Sequence, residues 1–162
     1  MGSAKYDVIE SDPPGEVRAA RMLQRAGFSP DDLVILGCST WPGEEELLVR
    51  IHRRLAHKIP NLRLILAPRH VERRDQVEAV LAQEGVSWIR RSALDSSAAP
   101  TEKKHDVFLL DTTGELKNYY AHAGVIFVGK SLTQHGGQNP IEPAYFGKPV
   151  LVGPNMENFR EV

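Results

Sequence analysis

Six short apolar runs constrain this chain more than any other feature. They fall at residues 33–36, 62–67, 86–89, 107–110, 125–128 and 150–152, and turn or polar residues separate them from the segments between. A continuous apolar run of this length suits a strand covered on both faces, as strands of parallel sheets are. Most of the intervening segments carry helical periodicity. In 44–57, continuing to Ile59, an apolar stripe of Leu47, Leu48, Ile51, Leu55 and Ile59 is expected to face inward, with Arg50, Arg53 and Arg54 outside it. In 72–83 the inward residues are Val77, Val80 and Leu81, and further helices are expected at 16–27, 116–121 and 140–146. Asp12-Pro13-Pro14-Gly15 reads as a turn or linker, and 90–104, with its Ser-Ser-Ala-Ala-Pro, as a loop.

Strand and helix in alternation specify an α/β fold: a Rossmann-like parallel sheet with helices on both faces. With right-handed crossovers and the strand order 3-2-1-4-5-6, the winding would reverse between the first and fourth strands. Ligands of such sheets bind beyond the C-terminal strand ends at that point. Loops 37–43 and 111–115 would then border the crevice, with Arg69-His70, 129–142 and 153–159 along the same edge.

The chain's 162 residues, 41% of them hydrophobic, suffice for one sizeable core. A net charge of -1 advertises no nucleic-acid partner, and one cysteine excludes an internal disulfide. Cys38 closes an apolar run and reads as a small buried thiol. No apolar stretch approaches the ~20 residues a bilayer span requires, and no signal-peptide pattern opens the chain, so a soluble chain is expected. The six histidines have no zinc-ligand spacing, and neither HExxH nor GxSxG occurs. A dinucleotide fingerprint and a Lys-Ser/Thr phosphate loop are both missing from 37–43. No metal and no cofactor are therefore expected.

What the strand ends do carry is suited to anions. In Gly136-Gly137-Gln138-Asn139-Pro140-Ile141-Glu142-Pro143 the two glycines admit close backbone approach, and Asn139-Pro140 reads as an N-cap followed by the first helical residue. Glu142 is either a capping carboxylate or a ligand for hydroxyl groups. Ser39 and Thr40 either cap the helix at 44 or donate to substrate, because a cap and an anion site use the same amides. Arg69 is the side chain best shaped to clamp phosphate or carboxylate, with His70 beside it, while Arg73 and Arg74 are expected to face solvent. Thr113, Gly114 and Glu115 open another helix, and Lys130 brings charge near a departing phosphate. A crevice rich in anion donors and poor in nucleophile-base pairs points to a nucleotide or sugar-nucleotide binding half.

The sequence Gly136–Ala144, with Gly147-Lys148-Pro149-Val150-Leu151-Val152-Gly153-Pro154 and Glu157-Asn158-Phe159-Arg160-Glu161, resembles the C-terminal domain of 3-deoxy-D-manno-octulosonic acid (Kdo) transferases. Ser39-Thr40 with Gly43-Glu44-Glu45, Pro68-Arg69-His70, Asp111–Leu116 and Lys5-Tyr6-Asp7 extend the likeness over almost the whole chain. The resemblance implies the C-terminal half of a glycosyltransferase B fold that binds CMP-Kdo, with Arg69, Gly114, Glu115, Asn139 and Glu142 at the donor. It further implies inverting transfer to a lipid A precursor without a metal in this domain, and a catalytic carboxylate in an N-terminal acceptor-binding domain missing here. No catalytic residue is then expected in this fragment. The parent enzyme would work at the cytoplasmic side of the bacterial inner membrane. Gln138 replaces the family's usual histidine, and Lys130 and Gln134 replace a commoner glycine and arginine. On this reading residues 1–30 are an N-terminal segment with an interdomain-type helix, and 31–162 a sugar-nucleotide domain truncated at its C-terminus. The alternatives are another B-fold glycosyltransferase, a sugar-nucleotide epimerase, or a non-catalytic nucleotide-sugar-binding module.

Overall fold

A computed structural model describes residues 12–94 and 103–162. Lys5-Tyr6-Asp7 and most of the expected loop at 90–104 lie outside the described residues. The six strands are β1 (Leu33–Thr40), β2 (Leu62–Pro68), β3 (Trp88–Arg90), β4 (Val107–Leu109), β5 (Val125–Val128) and β6 (Val150–Val152). They pair in parallel throughout, in the order β3-β4-β2-β1-β5-β6. This corrects the expected order 3-2-1-4-5-6: β4 inserts between β2 and β3, so the winding reverses at β1 and β5. Burial supplies the reason. Val107, Phe108 and Leu109 are all buried, as an interior strand requires, whereas Trp88, Ile89 and Arg90 are only half-buried and tolerate the sheet edge.

Side chains alternate across the sheet with the two-residue period of a strand. Leu64, Leu66, Val107 and Leu109 face α2 (Glu44–Ala56) and α3 (Arg74–Gln83), where Leu48, Val49, Val77 and Leu81 complete one core. Ile65, Phe108, Val34, Leu36 and Ile126 face the other way, onto Ala19 and Leu23 of α1 (Pro13–Arg25), Phe28, Tyr119 and Tyr120. Gly37 keeps the first side thin: a Cβ there would lie 2.6 Å from the Leu48 side chain.

Several local expectations change. Asp12-Pro13-Pro14-Gly15 is not a linker but the first turn of α1. The Asp12 carboxylate caps the Gly15 N–H at 3.1 Å, and the prolines occupy helix positions that need no amide donor. In place of a helix at 116–121, two 3-10 turns, Leu116–Asn118 and Tyr120–His122, bury Tyr119 and Tyr120. The stripe expected on α2 is largely exposed: Leu47 is 41%, Ile51 45% and Leu55 37% accessible. Leu48 of that stripe is buried as expected, and Glu44, Glu45, Val49 and His52 are buried with it. This rotation is possible because Glu44, Glu45 and His52 each find a partner, His52 through Nε2 at 2.8 Å from the Leu62 carbonyl oxygen, with its Nδ1 left without one among the described residues. The fifth strand leads through a long loop to the short helix α4 (Ile141–Tyr145).

Candidate functional site

At the reversal point the C-terminal ends of β1 and β5 come unusually close. The Gly129 N–H donates to the Cys38 carbonyl at 2.8 Å, and a Cβ on Gly129 would lie 2.1 Å from the Ser39 carbonyl oxygen, so the crossing admits only glycine. Ser39 and Lys130 flank this contact with φ of 53° and 56°, the non-glycine residues in left-handed backbone among those described. Strained backbone of this kind concentrates at functional sites.

Two carboxylates at the start of α2 organise the loops above. Glu44 is fully buried. Its Oε2 accepts the Trp41 and Lys130 N–H groups, each at 3.0 Å, and its Oε1 those of Ser131 and Leu132 at 3.1 and 3.2 Å. Glu45, 2% exposed, accepts the Thr40 hydroxyl at 3.1 Å and Arg73 Nη1 at 2.8 Å. Arg73 therefore does not face solvent as expected; it neutralises a buried carboxylate. Arg74 is half-buried and reaches the Asp111 carboxylate at 3.5 Å. In the sequence Glu44 and Glu45 read as a helix start and as part of the Gly43-Glu44-Glu45 segment of the resemblance, with no role of their own. The pairing of Glu44 with residues almost ninety positions away, and of Glu45 with Arg73, left no local signal beyond two adjacent acidic residues following a strand.

The predicted residues separate into groups. Thr40 is buried with its hydroxyl committed to Glu45, and Ser39 is half-buried beside Cys38. The Arg69 amide donates to the Thr40 carbonyl at 3.0 Å, which sets this residue against the end of β1. Its side chain is exposed and has no ion pair among the described residues. His70 meets the edge of Trp41 with ring centroids 5.3 Å apart, and the Lys130 ammonium lies 5.0 Å from the same indole. His70 and Lys130 are thus gathered around Trp41, with Arg69 next to His70 in the chain. The Trp41 Nε1 is buried without a hydrogen-bond partner among the described residues.

The glycine pair serves its own chain. Gly136 donates to Glu157 Oε2 at 2.7 Å and Gly137 to the Lys130 carbonyl at 2.9 Å. Added Cβ atoms would strike the Asn158 amide at 2.7 Å and Met156 Sδ at 2.4 Å, so their small size makes room for the segment after β6. The His135 Nδ1 also meets Glu157, at 3.0 Å, and these bonds, the His135 one foremost, hold that carboxylate down at about 2. The Asn139 Oδ1 accepts the Ile141 N–H at 2.9 Å, but the expected cap moves by one residue: Pro140 is the N-cap of α4 and Ile141 its first residue, so Asn139 stands just before the cap. Glu142 is half-buried and makes no hydrogen bond or ion pair among the described residues, although its charge helps to raise the proton affinity of Cys38 and Tyr120, which burial raises first.

Thr113, Gly114 and Glu115 follow β4, which the observed strand order places beyond β2 rather than beside β1. Glu115 is engaged by the Thr112 hydroxyl and by Arg91 Nη2, the latter at 3.1 Å. Gly114, at φ 80°, has open space where a Cβ would be. The sequence reading did not anticipate a cavity of about 670 Å³ at the opposite edge of the sheet, between α1 and the starts of β1 and β5. None of the predicted site residues lines it. The strained backbone, the Arg69 guanidinium without an ion pair among the described residues and the reversal of winding all lie at the other rim, which is therefore the candidate site. Among the described residues no group of three His, Cys, Asp or Glu is arranged to hold a metal ion.

Comparison with known proteins agrees with this architecture. The chain is 38% identical over 161 residues to the 3-deoxy-D-manno-octulosonic acid transferase of Haemophilus influenzae, covering 99% of this chain and 36% of that protein. It is likewise 38% identical over 163 residues to the Bordetella pertussis transferase, with 99% and 36% covered. A crystal structure of the C-terminal CMP-Kdo binding domain of WaaA from Acinetobacter baumannii superposes with a TM-score of 0.78 at 30% identity, over 93% of this chain and 76% of that one. The chain belongs to the Kdo transferase family. Within it, this chain corresponds to the C-terminal, Rossmann-like domain of the B fold. It spans about a third of the length of these curated relatives. The Anabaena protein HepE, solved with UDP and glucose, shares the fold at a TM-score of 0.52 and 18% identity, covering 91% of this chain and 36% of that one. No protein-family model matches the chain.

Proposed function

We propose that this chain is the donor-binding domain of an inverting Kdo transferase and that it holds CMP-Kdo in the crevice between the ends of β1 and β5. The observation carrying this reading is electrostatic. Arg69 follows the end of β2, exposed and without an ion pair among the described residues, and Lys130 follows the end of β5 over the Trp41 ring, while Glu44 and Glu45 are engaged by amides, a hydroxyl and Arg73. Two cations at this rim, Arg69 and Lys130, are thus committed to no carboxylate among the described residues, and the indole that Lys130 covers keeps a buried N–H without a partner there. In this proposal Arg69 grips the phosphate, Lys130 and His70 flank it, and Ser39 lies below. Glu142 and Asn139 would contact hydroxyl groups, and Gly114 with Glu115 would border the site from the β4 side. Positive charge fixed where the leaving phosphate gains negative charge favours departure of CMP.

Transfer to a lipid A precursor would require a further, acceptor-binding domain supplying the base, at the cytoplasmic face of the inner membrane. None of the described helices is long and apolar enough to cross a bilayer. Titration calorimetry tests the donor proposal: CMP should bind in preference to UDP, and Arg69→Ala should weaken CMP by about tenfold or more, the scale of one charge-assisted contact. UDP preference would move the chain to another B-fold donor class. Equal CMP affinity in the variant would remove Arg69 from the site.

A further inference from the structure

We infer that Glu44 is a positioning residue for the donor site: its buried charge sets the backbone of the turn at 130–132 and ties it to Trp41, so donor affinity depends on that charge. The inference rests on the donor-site reading above and extends it to a residue that touches no ligand. A carboxylate offers four acceptor positions, and here each meets a backbone N–H between 3.0 and 3.2 Å away. None of these bonds goes to an amide of α2 itself, so a simple helix-start role does not account for them.

The four donors also lie in irregular backbone, outside the strand and helix ladders. Without Glu44 the Ser131 amide would be left unpaired in a buried residue, at the cost of desolvation, and the Trp41, Lys130 and Leu132 amides, which are only partly covered, would lose a shared partner. Adjoining contacts extend the unit. The Thr133 hydroxyl donates to the Pro42 carbonyl at 2.7 Å, and the Lys130 carbonyl accepts the Gly137 N–H at 2.9 Å. One buried charge therefore fixes the left-handed turn at Lys130, the ammonium above Trp41 and the entry to the glycine pair.

Glu44→Gln tests this, because it keeps the shape and replaces one acceptor oxygen with an NH2 group that confronts N–H donors. In a folded variant, CMP affinity measured by calorimetry should fall by about tenfold or more, and the Trp41, Lys130, Ser131 and Leu132 amide resonances should shift together. A lower melting temperature with CMP affinity within about twofold of the parent is the signature of a purely structural carboxylate, and it overturns the inference. Hydrogen exchange on the unmodified chain covers the case in which the variant does not fold. There the four amides should exchange slowly as a group and more slowly still with saturating CMP; fast or CMP-indifferent exchange overturns the inference. If the unmodified chain binds no CMP, the donor-site reading itself fails, and slow concerted exchange then speaks only for the local nest.

Discussion

Gly129 shows how one residue can hold a crevice in shape. Its missing side chain lets β5 end against the Ser39 carbonyl, and the obstructing atom is backbone, which cannot swing aside. Gly129→Ala should therefore cost about 1–3 kcal/mol, the usual range for overpacking. Gly85 is the internal control: nothing lies within 4 Å of its added Cβ, and only its φ of 68° opposes a side chain. Gly85→Ala should cost about 1–2 kcal/mol from backbone conformation alone. Urea denaturation of both variants, with CMP titration alongside, separates the effects, since only the Gly129 change should also disturb binding. Unchanged stability in Gly129→Ala would show that the two strand ends can part freely.

At the scale of elements, the long loop after β5 is closed from above by the 3-10 turn Glu157–Phe159. The closure depends on the Glu157 carboxylate, which accepts from His135 and from the Gly136 amide. Because these partners favour its charged form, the group titrates at about 2 in the folded chain, against about 4.3 for a free glutamate. Its contribution to stability is thus complete above the ordinary glutamate range and is lost as pH falls through about 2. In an NMR titration the Gly136 amide should stay put between pH 6 and about 4, then move with a midpoint near 2. A midpoint at the ordinary glutamate value would mean the closure is open in solution. Element α2 teaches a different lesson. Of its expected inward stripe Leu48 is buried while Leu47, Ile51 and Leu55 are exposed, because burying Glu44, Glu45 and His52 becomes acceptable once distant loops and strands supply partners.

For the molecule as a whole, the proposal divides labour between this domain and an acceptor domain. Incubated alone with CMP-Kdo and a lipid A precursor, this chain should release no transfer product detectable by mass spectrometry, while still binding CMP. Turnover by the chain alone would place the acceptor's base within it and overturn that division. The observed strand order also redraws the site. By pairing β1 with β5, it brings the Lys130 loop to the reversal point and moves the Gly114-Glu115 loop one strand further out. The expected order had put that second loop at the centre of the crevice, and the ends of the third and fourth runs held the missed clue. Val107-Phe108-Leu109 is apolar on both faces and demands neighbours, whereas the run ending in Arg90 can accept an edge.

By itself the sequence determined the six strands, their parallel α/β arrangement and the polar residues gathered at the strand ends, because periodicity and turn chemistry are local properties that each segment states alone. Only the tertiary structure decided which strands are neighbours, which face of α2 is covered, and which carboxylates are already neutralised. Those outcomes turn on pairings such as Glu44 with 130–132 and Arg73 with Glu45. A buried charge is tolerable only where the fold brings its partners, and no single segment carries that information.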